Sequence, residues 1–71
     1  MTRKQAYKLL DKAVSSKTLS GLGISDLADT PTVMNALDEM EECDEEEAID
    51  IAQYAAEEIL EENGFTHDFL I

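Results

Sequence analysis

Apolar residues recur through most of this chain at the three- and four-residue steps of an α-helix, and the polar breaks between those stretches predict three helices. Ala6, Leu9, Leu10, Ala13 and Val14 define the first, over about residues 3 to 15. Thr2 and Gln5 precede it at the spacing of a capping box, in which each side chain satisfies the other's backbone N–H. Lys4, Lys8, Asp11 and Lys12 form its polar face, and its cations are expected to favour the negative carbonyl end of the helix. Residues 16 to 30 mix Gly, Ser and Thr with Leu19, Leu22, Ile24 and Leu27, the pattern of a packed connector. A short helical turn is expected from Ser25, and whether Leu19 to Ile24 forms a strand stays open.

Thr30-Pro31 is a helix start signal, because proline is tolerated at the first helical position and threonine can cap. The second helix is expected over 31–41, with Val33, Met34, Leu37 and Met40 as its buried stripe. The pattern breaks at Cys43. Asp44 and Glu47 then suit a second capping box, opening a third helix over 45–62 whose apolar face is Ala48, Ile49, Ala52, Ala55, Ala56, Ile59 and Leu60. Asn63-Gly64 is a stop signal, with Gly64 expected in the left-handed conformation. Residues 65–71 end in Phe69, Leu70 and Ile71, too apolar to leave in water, so this tail is expected to fold back on the core or join a second subunit. The fold class predicted is all-α, a small three-helix domain with a packed connector, and a homodimer is expected.

The 71 residues make one domain at most, close to the size at which a single core barely outweighs chain entropy. The apolar share of 44% sets the chain apart from disordered acidic sequences despite a net charge of −12. No unbroken apolar stretch follows the basic start, so neither a signal peptide nor a membrane span is expected. The single cysteine fits a reducing compartment, and the expected location is the cytoplasm.

Charge is distributed unevenly. All five Lys and Arg side chains (Arg3, Lys4, Lys8, Lys12 and Lys17) lie in the first seventeen residues, where Asp11 is the one acid; the other sixteen acids follow. Such repulsion destabilises a small fold, so its retention points to selection for the field and to a basic partner. The third helix alone carries Glu45, Glu46, Glu47, Asp50, Glu57, Glu58, Glu61 and Glu62. That is one carboxylate per roughly 3.4 Å of axis, the spacing of phosphates along one DNA strand. Glu46 with Asp50, Glu57 with Glu61 and Glu58 with Glu62 are like-charge pairs one turn apart, with no lysine nearby in sequence to relieve them. Asp38, Glu39, Glu41 and Glu42 add a second ridge if the two helices pack as a hairpin.

This density of acids, and above all the run from Asp38 to Glu47, resembles the small acidic DNA-mimic inhibitor proteins made by phages. The likeness is one of composition, covers about residues 26 to 62, and includes no shared motif; the cationic first helix departs from it. It implies inhibition of a basic DNA-binding host protein, with the nucleoid protein HU a candidate, by competition with DNA and without direct contact to nucleic acid. The partner-binding residues expected are Asp38, Glu39, Glu41, Glu42, Glu46, Asp50, Glu57, Glu58, Glu61 and Glu62. Reversing Glu57 and Glu61 to lysine is expected to abolish competition.

Other readings use the same residues less fully. An acidic run is often a solvated face, and an acidic adaptor can bind a basic protein without imitating DNA. Acyl carrier proteins are small, acidic and helical, but their Asp-Ser-Leu order is changed here to Ile24-Ser25-Asp26-Leu27. The run from Asp38 to Glu47 lacks the glycine and spaced oxygens of a calcium loop. His67 beside Asp68 sits near the chain end, and acids around Cys43 disfavour its thiolate, so no catalytic residue, metal or cofactor is expected and the chain is not read as an enzyme. Tyr7 and Tyr54 are expected at the core edge with their hydroxyls outward.

Overall fold

The computed structural model describes residues 1–18, 22–27 and 30–64. The fold is all-α, and the described residues form three α-helices: α1 (Arg3–Ser16), α2 (Pro31–Glu41) and α3 (Glu45–Glu62). A 3₁₀ turn, Ile24–Asp26, lies in the connector. Of the stretch considered as a strand, Leu22 and Gly23 are irregular, Ile24 begins the 3₁₀ turn, and residues 19–21 lie outside the described residues. The apolar tail, residues 65–71, also lies outside them.

Local chemistry sets the helix ends. Both halves of the Thr2/Gln5 capping box form: Thr2 Oγ1 accepts from the Gln5 N–H at 3.2 Å, and Gln5 Oε1 accepts from the Thr2 N–H at 3.0 Å. Asp44 caps α3 by accepting from the Glu47 N–H at 2.9 Å, although the reciprocal bond that would complete a box is not formed. Thr30 does not cap α2; its Oγ1 is buried without a hydrogen-bond partner among the described residues, and the start rests on Pro31. At the far end of α3, Gly64 takes φ +84°, the left-handed turn that lets its N–H reach Glu61 O at 3.0 Å.

The helices assemble as an antiparallel series. Thr32, in the first turn of α2, donates through Oγ1 to Glu62 Oε2 at 2.7 Å, in the last turn of α3. Arg3, opening α1, reaches Asp38 and Glu41 near the end of α2. Helix α2 therefore runs against both neighbours, and α1 lies parallel to α3. The Met1 ammonium donates to Glu41 O at 3.1 Å and Cys43 O at 3.4 Å, placing positive charge where the dipole of α2 is negative. No basic residue occupies the last turn of α1; Lys17 stands just past it, as the C-cap. The expected dipole pairing of the α1 cations is therefore confined to that residue.

The core joins Ala6, Leu10, Ala13 and Val14 of α1 to Val33, Ala36, Leu37 and Met40 of α2 and to Ala48, Ala52, Ala55, Ala56, Ile59 and Leu60 of α3, with Ile24 from the connector. Two expected core positions belong elsewhere. Met34 is 52% exposed and lies beside the Arg3 guanidinium, while Ala36 takes its place in the stripe; Ile49 is 41% exposed, and Ile51 packs against the core instead. Helix α3 contacts two partners, so its apolar arc is wide and its margin positions face the edges of the packing. Tyr7 and Tyr54 are also more exposed than a core edge requires, Tyr54 at 78%.

Asp11 leaves the polar face to which its spacing assigned it and organises the connector. It is half-buried, and its Oδ1 accepts from the Ile24 N–H at 2.9 Å. Gly23 leaves space for this contact, because a Cβ there would push the same carboxylate off the Ile24 N–H. Asp26 closes the turn by accepting from the Gly23 N–H at 3.1 Å. Replacing Asp11 with alanine is expected to cost about 1.5 to 3 kcal/mol, the range for a hydrogen bond to a charged group. Urea unfolding measures this, and Asp11→Asn should recover much of the loss.

Candidate acidic interface

The ten acids expected to bind a partner do not form two uniform ridges; the fold sorts them into three groups. On the α1 side of α2, Asp38 and Glu41 are both engaged by the Arg3 guanidinium, Glu41 at 2.8 Å. These two bonds raise the Arg3 pKa, the Glu41 bond contributing most, and hold the cation firmly charged. Glu42 lies just past α2, exposed. Part of the cationic segment is thus an internal counter-charge to the acidic one.

Along α3, Glu46, Asp50, Glu57 and Glu61 lie at steps of four, seven and four residues. A 3.6-residue period brings them onto one stripe about 22 Å long, turned away from the buried face. All four are exposed. Lys17 Nζ approaches Glu57 Oε1 at 3.6 Å, which corrects the expectation that no lysine relieves the α3 acids. The correction is local: among the described residues no ion pair reaches Glu46, Asp50 or Glu61. Lys4, Lys8 and Lys12, one turn apart on the exposed side of α1, likewise make no ion pair among the described residues.

The third group borders a cleft between α2 and α3, about 340 Å³ in volume. Ala36 and Ala55 leave room for it, Ile51 contributes apolar surface, and Thr32 and Asn35 add polar atoms from α2. Glu39 stands on the α2 wall and Glu58 on the α3 wall, with Tyr54 one helical turn before Glu58. The bond from Thr32 to Glu62 ties the two helices together near this cleft. Neither the cleft nor the place of Tyr54 on its lining was expected from the sequence. The signal available was helical spacing, since Tyr54 lies four residues after Asp50 and four before Glu58, on the longest stretch of α3, residues 51–56, that carries no acid.

Cys43, in the turn between α2 and α3, is partly buried. That burial, then a hydrogen bond with Glu47 and the charges of Glu47, Glu39 and Asp44, pushes its thiol pKa up. Thiolate is the nucleophile, so Cys43 should alkylate more slowly at neutral pH than a small-molecule thiol. Added salt, which screens the carboxylates, is expected to recover part of the rate; iodoacetamide labelling followed by mass spectrometry checks both effects.

Among the described residues, no group of three His, Cys, Asp or Glu side chains is placed to hold a metal ion. No described helix is long and apolar enough to cross a membrane. His67 lies outside the described residues. Ser25 is exposed in the 3₁₀ turn rather than at the start of an α-helix, where a carrier serine stands. No known protein family matches the chain, and no curated protein or solved structure is detectably similar to it.

Proposed function

We propose that this protein is an acidic DNA mimic that binds a basic DNA-binding protein through the outer stripe of α3 and inhibits it by competing with DNA. The observation that carries this reading is the charge left over after folding. Arg3 pairs with Asp38 and Glu41, and Lys17 with Glu57 of the stripe itself, whereas Glu46, Asp50 and Glu61 keep exposed carboxylates without an ion pair among the described residues. A linear array of fixed negative charge on a rigid helix offers a DNA-binding surface the electrostatic part of its usual ligand. Association should be fast, steered by charge and weakened by salt. The reading takes the form of a phage-encoded, host-takeover inhibitor acting in the host cytoplasm, with a nucleoid protein such as HU as target. It includes a homodimer formed through residues 65–71, which would lengthen the charged array; sedimentation equilibrium tests that part.

An adaptor that binds a basic protein without imitating DNA is the second reading. The cleft between α2 and α3 favours it, because phosphate imitation alone needs no partly apolar recess. Displacement separates the two. The immobilised protein is exposed to bacterial lysate at low salt, and the retained proteins are challenged with duplex DNA of unrelated sequence. Release of a DNA-binding protein by the duplex supports mimicry. Retention of a partner indifferent to DNA supports the adaptor.

A further inference from the structure

We propose that the cleft between α2 and α3 seats an arginine side chain of the basic partner, clamped between Glu39 and Glu58 and covered by the ring of Tyr54. The proposal rests on the reading that the partner is a basic protein and goes on to specify which cation enters, and where.

Three features converge on a guanidinium. The first is shape: alanine at positions 36 and 55 opens a recess where larger residues would close the helix interface, and Ile51 supplies apolar surface for a side-chain stem. The second is charge. Glu39 and Glu58 face the recess from different helices and make no ion pair among the described residues, although Arg3 pairs with Asp38 and Glu41 and Lys17 with Glu57. The third is the aromatic ring. Tyr54 is 78% exposed in the middle of an acidic helix, where burial cannot account for it. A planar guanidinium can stack on such a ring while donating in two directions at once, whereas an ammonium concentrates its charge at one point and stays more strongly hydrated. Arginine rather than lysine is therefore the residue that uses all three features. The outer stripe of Glu46, Asp50 and Glu61 offers charge alone and should accept either cation.

The test titrates isotope-labelled full-length protein with a short arginine–alanine peptide and with its lysine counterpart, following backbone amide shifts by NMR. The arginine peptide should shift the amides of Ala36, Ile51, Tyr54 and Ala55 and bind about threefold more tightly than the lysine peptide, as expected for a cation–aromatic contact at an exposed site. Tyr54→Ala, at a position that adds nothing to the core, should erase this preference. Glu39→Gln with Glu58→Gln should weaken the arginine peptide more than the lysine peptide. Asp50→Lys with Glu61→Lys should weaken both peptides and leave the preference intact. Equal binding of the two peptides, or shifts confined to the outer stripe, would overturn the cleft proposal even if DNA still competes for the partner. An arginine preference that persists when DNA does not compete would uphold the cleft and remove the mimic reading instead.

Discussion

Replacing Asp50 and Glu61 together with lysine is expected to weaken competition with DNA about a hundredfold while leaving the protein folded. The estimate takes about 1.5 kcal/mol per reversed charge, the lower end for close charge pairs across an interface, and about 1.4 kcal/mol per tenfold. These two positions are better probes than Glu57, because Glu57 is already partnered by Lys17 and its reversal would also break an intramolecular pair. Both side chains are exposed on α3. The substitutions also replace two like-charge contacts, Glu46 with Asp50 and Glu57 with Glu61, by Glu-to-Lys pairs at the favourable four-residue spacing, each adding about 0.3 to 0.5 kcal/mol to helix stability. Loss of competition with an unchanged or raised melting temperature would locate the effect at the interface. A drop in helical circular dichroism would instead indicate that these positions support the fold.

Leu10→Ala should have the largest effect on stability. The side chain is fully buried and is the largest of the four that α1 contributes to the core, alongside Ala6, Ala13 and Val14. Deleting it should cost about 3 to 5 kcal/mol through lost burial and the cavity left behind. A chain of this length has a total stability of only about 4 to 11 kcal/mol. The loss is thus between about a quarter of the total stability and all of it, and the variant is expected to melt far below the unmodified protein. Salt gives an independent check. Net charge of −12 makes the native state self-repelling, so added salt should raise the melting temperature of the unmodified protein and partly restore the variant. The same salt should weaken partner binding, and opposite responses of folding and binding are a specific consequence of a large net negative charge.

Much of the architecture was legible because it rests on local chemistry. The Thr2/Gln5 box, the Asp44 cap and the Gly64 turn mark helix limits through bonds that span four residues or fewer, and Pro31 marks the start of α2 through its fixed backbone angle. What stayed illegible depends on how the helices are rotated against one another. Met34 and Ile49 lie at the edges of apolar arcs, where a turn of a few tens of degrees decides between core and solvent, and the packing chose Ala36 and Ile51 instead. Asp11 looked like a member of a solvated face because its partner, the Ile24 N–H, belongs to an irregular connector with no periodic signal. The acids were countable from the sequence, but their division was not. Arg3 reaches across to Asp38 and Glu41, and Lys17 to Glu57, over separations that only the assembled bundle brings within bonding range. The cleft depends on two small residues facing each other from different helices, so no single stretch announces it.

The most direct test of the central claim is a displacement assay on the DNA-binding protein retained from lysate, using a fluorescent duplex and reading anisotropy as this protein is added. Mimicry predicts that the unmodified chain releases the duplex regardless of its sequence, and that Asp50→Lys/Glu61→Lys fails to do so at comparable concentrations. Release that is undiminished in the charge-reversed variant, or a ternary complex in which duplex and protein bind together, would contradict the assignment of α3 as a substitute for DNA.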